Sequence, residues 1–166
     1  MKAVCVLSGD VTGVIEFRQE HPTFFTYVTG DMHNLPKGYH GFHIHEFGDV
    51  TNGCTSAGEH FNPFHQDHGG PKDAIRHMGD LGNVYSHGQN TITHVDIIDD
   101  MITLYGPYNI LGRSLVVHAM MDDYGRGDND FSKITGNAGG RLGCGVIGVK
   151  SVVNVFIDNK ILSKTI

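Results

Sequence analysis

Residues 41–80 constrain the fold of this chain more than any other stretch. They hold six of its twelve histidines but too few apolar side chains to build a core of their own. The first seven residues, 41–47, alternate apolar and imidazole side chains, which is typical of a strand, and the Gly, Pro, Asn and Asp that follow predict a long loop. A loop of that length inside a compact domain needs something to order it. Metal coordination would supply that ordering free energy.

The rest of the chain favours an all-β domain. At 166 residues a single domain is expected, and 23 glycines, no tryptophan and no run of helix-favouring residues point to short strands joined by turns. We therefore predict an eight-stranded antiparallel structure with no helix longer than a turn or two. Its strands are expected at residues 3–8, 14–18, 24–29, 41–47, 81–86, 92–98, 113–119 and 142–149.

Three segments outside these strands carry expectations of their own. Residues 87–90, His-Gly-Gln-Asn, predict a turn that joins 81–86 and 92–98 into a strand pair. Residues 120–141, crowded with charge and glycine, predict a second long loop. We assign residues 1–149 to the domain and residues 150–166 to a C-terminal extension, for which the sequence leaves open a further strand or a frayed end.

Charge and hydropathy narrow the range of partners. The net charge of −6 argues against nonspecific binding to nucleic acid or to an anionic membrane. No run approaches the ~18 uncharged apolar residues of a membrane span, and the first residues show no apolar stretch followed by a cleavage site. We expect a cytoplasmic protein with no membrane and no nucleic-acid partner.

Three strand histidines and one loop histidine form a first candidate metal site. His43 and His45 are two residues apart and so share one face of a strand, and His118 falls on the outward face of the strand at 113–119. His60, from the loop, completes a set of four imidazoles, which is a suitable environment for copper.

The same long loop offers a second candidate site. His68, His77 and Asp80, together with His60, make a set of three imidazoles and one carboxylate, which is typical of zinc. One group must then serve both metals, and a deprotonated imidazole bridges through its two nitrogens. His60 is the candidate bridge, because it lies between the two groups along the chain.

The remaining histidines and the cysteines receive simpler interpretations. His40 shares a face with the apolar residues of its strand and is expected to be a core histidine that bonds to the backbone. Cys5 is expected to be a small buried apolar residue. Cys54 and Cys144 are by default reduced thiols, with a bridge between them as the alternative. Five histidines are recruited by neither spacing nor face and are expected to be ordinary surface residues: His21, His33, His65, His87 and His94.

Several long motifs resemble the copper/zinc superoxide dismutase family over about residues 1–149. They are GFHIHEFGD from residue 41, NGCTSAGEHFNP from residue 52, RHMGDLGN from residue 76 and TGNAGGRLGCGVIG from residue 135. The resemblance implies an immunoglobulin-like Greek-key β-sandwich or flattened barrel, with copper and zinc ions as cofactors. It also implies a homodimer, supply by a copper chaperone, and conversion of superoxide to oxygen and hydrogen peroxide by alternate reduction and reoxidation of copper.

The resemblance also implies roles for particular residues. It puts copper on His43, His45, His60 and His118, and zinc on His60, His68, His77 and Asp80. It makes His60 and Arg141 the catalytic residues, His60 as the bridge that leaves copper and takes up a proton, and Arg141 as the guide for the anion. Asp122 becomes the carboxylate that links His43 to His68, Thr135 narrows the channel, and Cys54 pairs with Cys144 in a disulfide.

The chain departs from the family pattern just before the TGNAGG motif. Phe131 and Ile134 stand where charged residues are often found in the family, so we expect weaker or differently shaped steering of superoxide. The alternative function is a non-catalytic copper/zinc-binding protein, a buffer or chaperone-like domain with the same fold; a third is a zinc-held structural sandwich without copper. Such relatives tend to lose copper ligands or the channel arginine, and this chain keeps them.

Overall fold

The computed structural model describes residues 1–151, which form nine strands and two short helical segments. The strands are β1 (Lys2–Gly9), β2 (Thr12–Arg18), β3 (Thr26–His33), β4 (Gly38–His45), β5 (Thr51–Cys54), β6 (Asp80–Ser86), β7 (Thr93–Asp99), β8 (Ser114–His118) and β9 (Arg141–Val149). A 3₁₀ turn spans Thr55–Ala57, and α1, a single helical turn, spans Ser132–Thr135.

Eight of these strands form one antiparallel sheet in the order β6-β4-β8-β9-β1-β2-β3-β7. The two end strands, β6 and β7, come close to each other without pairing, so the sheet curves into a nearly closed barrel. The chain crosses from one side of this order to the other three times, between β3 and β4, between β6 and β7, and between β7 and β8. This architecture confirms the prediction of an eight-stranded antiparallel all-β fold.

The alternation of side chains in the sequence explains which face of each strand is buried. In β1, Ala3, Cys5 and Leu7 are at most 2% exposed, and each pairs across to β2, where Ile15 and Phe17 are also fully buried. Successive side chains of a strand point to opposite faces, so these inward positions form one wall of the core. The buried Cys5 confirms its interpretation as a small apolar residue, and burial raises the pKa of its thiol to about 12.

The predicted pairing of residues 81–86 with residues 92–98 is wrong. In the structure β6 pairs with β4, and β7 pairs with β3, so the two strands lie at opposite ends of the sheet. The residues between them do turn the chain, but each strand finds a distant partner because the barrel is built by long-range pairing.

The third strand also differs from its prediction at residues 24–29. It begins at Thr26 and runs on to His33, while Phe24 is 59% exposed. Gly30, just beyond the predicted end of this strand, lies in the strand and pairs with Ile15 on one side and Val95 on the other. A Cβ atom at Gly30 would clash with the carbonyl oxygen of Val14, so glycine is used here for close strand approach.

The C-terminal part of the chain enters the described structure only at its start. The Lys150 backbone N–H donates to the carbonyl of Lys2 at 3.0 Å, which extends the pairing between β9 and β1. Residues 152–166, most of the predicted extension, lie outside the described residues. No helix in residues 1–151 is both long and apolar enough to cross a membrane.

Candidate metal centre

Two neighbouring strands bring three histidines onto one face of the sheet. In the register of β4 and β8, His43 pairs with Val116 and His45 with Ser114, so His118 lies on the same face as His43 and His45. Their imidazoles point away from the apolar core and are still at most 4% exposed. The long loops that connect the strands therefore cover this face.

Backbone hydrogen bonds hold the first of those loops against β4. The Phe61 N–H donates to the Ile44 carbonyl at 2.8 Å, and the Glu46 N–H donates to the Glu59 carbonyl at 2.9 Å. His60 lies between these two bonds, opposite His45. Its ring centroid is 4.1 Å from that of His43, so the loop delivers its imidazole directly onto the strand histidines.

The structure gathers the predicted ligands into two groups that share one residue. Within each group the candidate ligand atoms all lie within 4.8 Å of one another, and every member is buried. His60 belongs to both groups. The first group comprises His43, His45, His60 and His118; the second comprises His60, His68, His77 and Asp80.

Backbone carbonyls determine which ring nitrogen carries the proton in two of the strand histidines. His45 Nδ1 lies 2.9 Å from the Gly58 carbonyl oxygen, and His118 Nδ1 lies 3.2 Å from the Gly139 carbonyl oxygen. A carbonyl only accepts, so both Nδ1 atoms are donors, and the Nε2 atoms keep their lone pairs. These two Nε2 atoms face each other at 3.2 Å, as ligands of one ion would.

Asp122 places the protons of two further histidines. Its Oδ2 is 2.8 Å from His43 Nε2 and its Oδ1 is 2.8 Å from His68 Nε2. The Tyr124 N–H donates to Asp122 Oδ1 at 2.7 Å, and the backbone N–H of Asp122 donates to Asn83 Oδ1 at 2.8 Å. His43 and His68 are therefore left with Nδ1 facing the two ligand groups, in the arrangement by which acceptors behind the ligands commonly orient metal-binding histidines.

His60 has no acceptor of that kind behind it. Its Nε2 is buried and has no hydrogen-bond partner, while its Nδ1 lies 2.9 Å from Asp80 Oδ1 and 3.3 Å from His77 Nδ1. One nitrogen thus faces each group. Buried polar atoms without partners are rare and costly, and His43 Nδ1 shares that lack of a partner. His68 Nδ1 lies 3.0 Å from Asp80 Oδ2, another candidate ligand atom. A pair of metal ions would satisfy all of these atoms, so the donor set fits two metals.

Burial keeps the imidazoles of the first group neutral. It lowers the pKa of His43 and of His118 to about 4 and that of His60 to about 3. It also holds the pKa of His45 well below its ordinary value. A neutral imidazole is the form that binds a metal, so these four residues are ready to bind at neutral pH.

The second group carries charge instead. Burial would lower the pKa of His68, but its hydrogen bonds with Asp122 and Asp80 outweigh that effect and raise the pKa to about 9. Burial likewise opposes ionisation of Asp122, and the bonds from His43 and His68 still lower its pKa to about 2. Asp80, which meets three imidazoles, has a pKa far below its ordinary value. Both carboxylates are therefore ionised at neutral pH, which suits a divalent cation.

An open cleft of about 520 Å³ leads from the surface to the first group. His45, His60 and His118 lie in its wall, together with Arg141 and Thr135. Arg141 is anchored by its Nη1 to the Cys54 carbonyl and by its Nη2 to the Gly58 carbonyl, both at 2.7 Å. Gly58 is also the acceptor of His45 Nδ1. One carbonyl therefore positions the guanidinium and a histidine of the first group together.

A disulfide ties this corner of the site to the sheet. Cys54 is bonded to Cys144 of β9, 90 residues along the chain, with their Cα atoms 5.6 Å apart. The reduced-thiol default is therefore wrong, and the bridged alternative is confirmed. Since Arg141 is bound to the carbonyl of Cys54, the bridge also restrains the arginine at the cleft.

The histidines that we excluded lie outside both ligand groups. His40 is 3% exposed, and its ring nitrogens lie 2.9 Å from the carbonyl oxygens of His118 and Pro36, which confirms a core histidine that bonds to the backbone. His94 pairs with Asp31 at 2.6 Å on the surface. His21, His33, His65, His87 and His94 are all exposed and outside both groups.

Sequence reasoning missed one residue that supports the site. Arg76 is 1% exposed and donates to the Asp80 carbonyl at 2.6 Å and to Asp99 at 2.7 Å. It thus connects the backbone of a ligand to the end of β7. The only local signal was an arginine next to His77 inside a motif, and nothing in the sequence indicates that Asp99 lies nearby.

Comparison with known proteins agrees with this geometry. Residues 11–147 match the family model described as copper/zinc superoxide dismutase. A protein of the Autographa californica nuclear polyhedrosis virus is 58% identical over 149 residues, which cover 90% of this chain and 99% of the relative. A protein of the Orgyia pseudotsugata multicapsid polyhedrosis virus is 58% identical over 149 residues, 90% of this chain and 98% of the relative. Both are named "Putative superoxide dismutase" of the copper–zinc type. With two histidine groups able to hold metal and a match over most of its length, the chain belongs to the copper/zinc superoxide dismutase family, which uses copper and zinc ions.

Proposed function

We propose that this protein is an active superoxide dismutase that converts superoxide to oxygen and hydrogen peroxide. In this proposal copper binds to His43, His45, His60 and His118, and zinc binds to His60, His68, His77 and Asp80. The observation that carries it is the single imidazole of His60, whose two ring nitrogens face the two ligand groups while its Nε2 has no protein partner. Bound copper supplies a one-electron redox centre, and zinc, which has no redox chemistry, holds the loop.

The residues of the chain perform the remaining steps. His60 lines the cleft, so a proton held on its Nε2 faces an anion that enters there. The carbonyls of Gly58 and Gly139 keep the protons of His45 and His118 on Nδ1, so the Nε2 atoms of these two residues carry no proton. His60 is thus the ring in this group that is free to exchange a proton at Nε2, as a proton donor to the product requires.

Arg141 binds and orients the anion in this proposal. Its guanidinium is permanently charged and presents several N–H donors in a fixed plane. The two carbonyl bonds at 2.7 Å hold that plane at the cleft wall, and the remaining donors are available to bind superoxide. Thr135 lines the same cleft and, with its hydroxyl donating to the Phe131 carbonyl at 3.0 Å, narrows the entrance.

Assembly and supply belong to the proposal as well. We propose a cytoplasmic homodimer that receives copper from a chaperone. Apolar side chains near the segment 48–54 and on β9 are available for a self-complementary contact: Phe47 is 51% exposed, Val50 43% and Val146 39%. Exposed apolar side chains in one region favour protein–protein contact.

Metal analysis beside a superoxide-scavenging assay tests the function. We expect copper and zinc to be bound together, with activity above that of the same amount of free copper. Binding of both metals without turnover would instead support the alternative, a non-catalytic copper/zinc-binding protein. Arg141→Ala is expected to lower the rate by roughly tenfold or more, since each ~1.4 kcal/mol lost in the transition state is tenfold. Arg18→Ala, at an exposed site with 46% exposure of the side chain, is the control. An unchanged rate in Arg141→Ala contradicts the guidance role.

A further inference from the structure

Two consecutive methionines, Met120 and Met121, directly follow the histidine strand β8 and its neighbour Ala119. They are exposed to nearly the same degree, at 58% and 54%. Exposed apolar side chains are common on protein surfaces, so exposure alone does not distinguish the two methionines. Met120 lines the cleft that contains His45 and His118, whereas Met121 does not. The two methionines therefore differ in their position relative to the cleft but hardly differ in exposure.

The backbone of Met120 is fixed on both sides. Its N–H donates to the Ala138 carbonyl at 2.8 Å, and its carbonyl accepts the N–H of Gly41 at 2.9 Å. Its thioether lies over Gly139, where a Cβ atom would be 2.8 Å from Sδ. Gly139 is also the residue whose carbonyl orients His118. The sulfur is thus held against the same backbone that positions a member of the first group.

The charges around the cleft make an uncharged ligand useful. Arg141 contributes a permanent positive charge to the cleft wall, and it opposes the entry of any free cation. Glu59 lies in the same wall and offsets part of this charge, and Phe131, which is 67% exposed, adds an apolar side chain to the rim. Thioethers are soft ligands that prefer monovalent copper over zinc, and they bind it without needing a negative charge.

We propose that Met120 captures monovalent copper at the mouth of the cleft and passes it to His118 and His45. The transfer is a ligand exchange: the Cu–S contact breaks as a contact to Nε2 forms, and no electron or proton is transferred. The inference rests on the proposed copper ligands. It assigns to this chain a selective entry step that zinc does not share.

Methyl NMR of the metal-free protein tests the contact directly. The protein, disulfide intact, carries ¹³C-methyl methionine and is titrated with Ag(I), a soft monovalent ion that undergoes no redox change. We expect the Met120 methyl signal to shift at the first additions while that of Met121 stays in place. Zn(II) is expected to leave both methyl signals unchanged. A silent Met120 methyl, with imidazole signals of His45 and His118 that shift, overturns the capture role and leaves the copper site standing. Silence of the imidazoles as well overturns both proposals.

Loading kinetics provide a second, independent readout. Transfer of Cu(I) from its bicinchoninate chelate is followed by the chelate's colour in the parent, in Met120→Leu and in Met121→Leu. We expect Met120→Leu to load about tenfold more slowly, the factor that corresponds to ~1.4 kcal/mol of capture affinity. Met121→Leu should match the parent, and all three should reach the same final copper content. Equal loading rates for the two variants would overturn the proposal.

Discussion

Replacement of Arg76 by methionine tests whether its buried ion pair with Asp99 holds the second ligand group in place. Arg76 and Asp99 are 1% and 3% exposed, and their side chains are 2.7 Å apart. The same guanidinium donates to the Asp80 carbonyl at 2.6 Å. The methionine side chain would fill much of the same volume, but it would leave Asp99 as a buried anion without its cation.

The expected loss of stability is about 3 kcal/mol. Removal of one partner of a buried pair costs roughly 3–5 kcal/mol, and we take the low end because Asp99 keeps two bonds, from the N–H groups of Met101 and Ile102 at 2.8 Å. The loss is a large part of the ~5–15 kcal/mol that stabilises a typical domain. Because the Asp80 backbone loses its support, zinc affinity should also fall by roughly 10–100-fold.

Denaturant unfolding of the metal-free protein measures the first effect, and competition with a zinc chelator measures the second. Arg18→Met is the control, since the Arg18–Glu20 pair has the same 2.7 Å separation but exposed side chains, and should cost less than ~1 kcal/mol. In the double variant Arg76→Met with Asp99→Leu, which removes both charges, part of the loss should be regained. A loss in Arg76→Met no larger than in Arg18→Met would refute the reasoning, and so would simple additivity in the double variant.

Three further predictions concern the site. In the metal-free protein His43, His60 and His118 have lowered pKa values of about 4, 3 and 4, so their contribution to stability is present above about pH 6.5 and lost as the pH falls towards 4. The raised pKa of His68, about 9, gives a contribution to folding stability that is full below about pH 6.5 and lost as the pH rises to about 9. Unfolding curves should therefore show maximal stability near pH 6.5. A steady rise in stability from acid to alkaline pH would contradict this. Asp122→Asn, which leaves a neutral acceptor behind two histidines, should weaken binding of both metals by roughly 10–100-fold in chelator competition, and unchanged affinities would count against its orienting role. The exposed apolar side chains of Phe131 and Ile134 predict a shallow dependence of activity on ionic strength, steeper in Phe131→Glu with Ile134→Lys. A steep fall in the parent, as in strongly steered association, would show that these two side chains are not decisive.

The sequence predicted well wherever the relevant physics is local. Alternation in residues 41–47 predicted that His43 and His45 share a face, and the same argument placed His118. Composition predicted the all-β class. Pairing was less predictable: the turn at residues 87–90 indicated a hairpin, but β6 and β7 pair with β4 and β3. Turn residues determine only the local backbone conformation, whereas strand pairing depends on contacts throughout the barrel. The predicted end of the third strand at residue 29 was wrong for a similar reason, because Gly30 serves close strand approach and glycine occurs in turns as well.

By itself the sequence determined the donor types, their spacing and the fold class, since these depend on side-chain chemistry and on the twofold period of a strand. The tertiary structure alone decided how those donors are oriented. It placed the Gly58 and Gly139 carbonyls behind His45 and His118, and Asp122 behind His43 and His68. It left His60 Nε2 buried without a hydrogen-bond partner and buried Arg76 between Asp80 and Asp99. These contacts join residues up to 79 positions apart. A sequence pattern does not predict them, because proton positions and ion pairs depend on which backbone groups the folded chain brings within hydrogen-bonding distance.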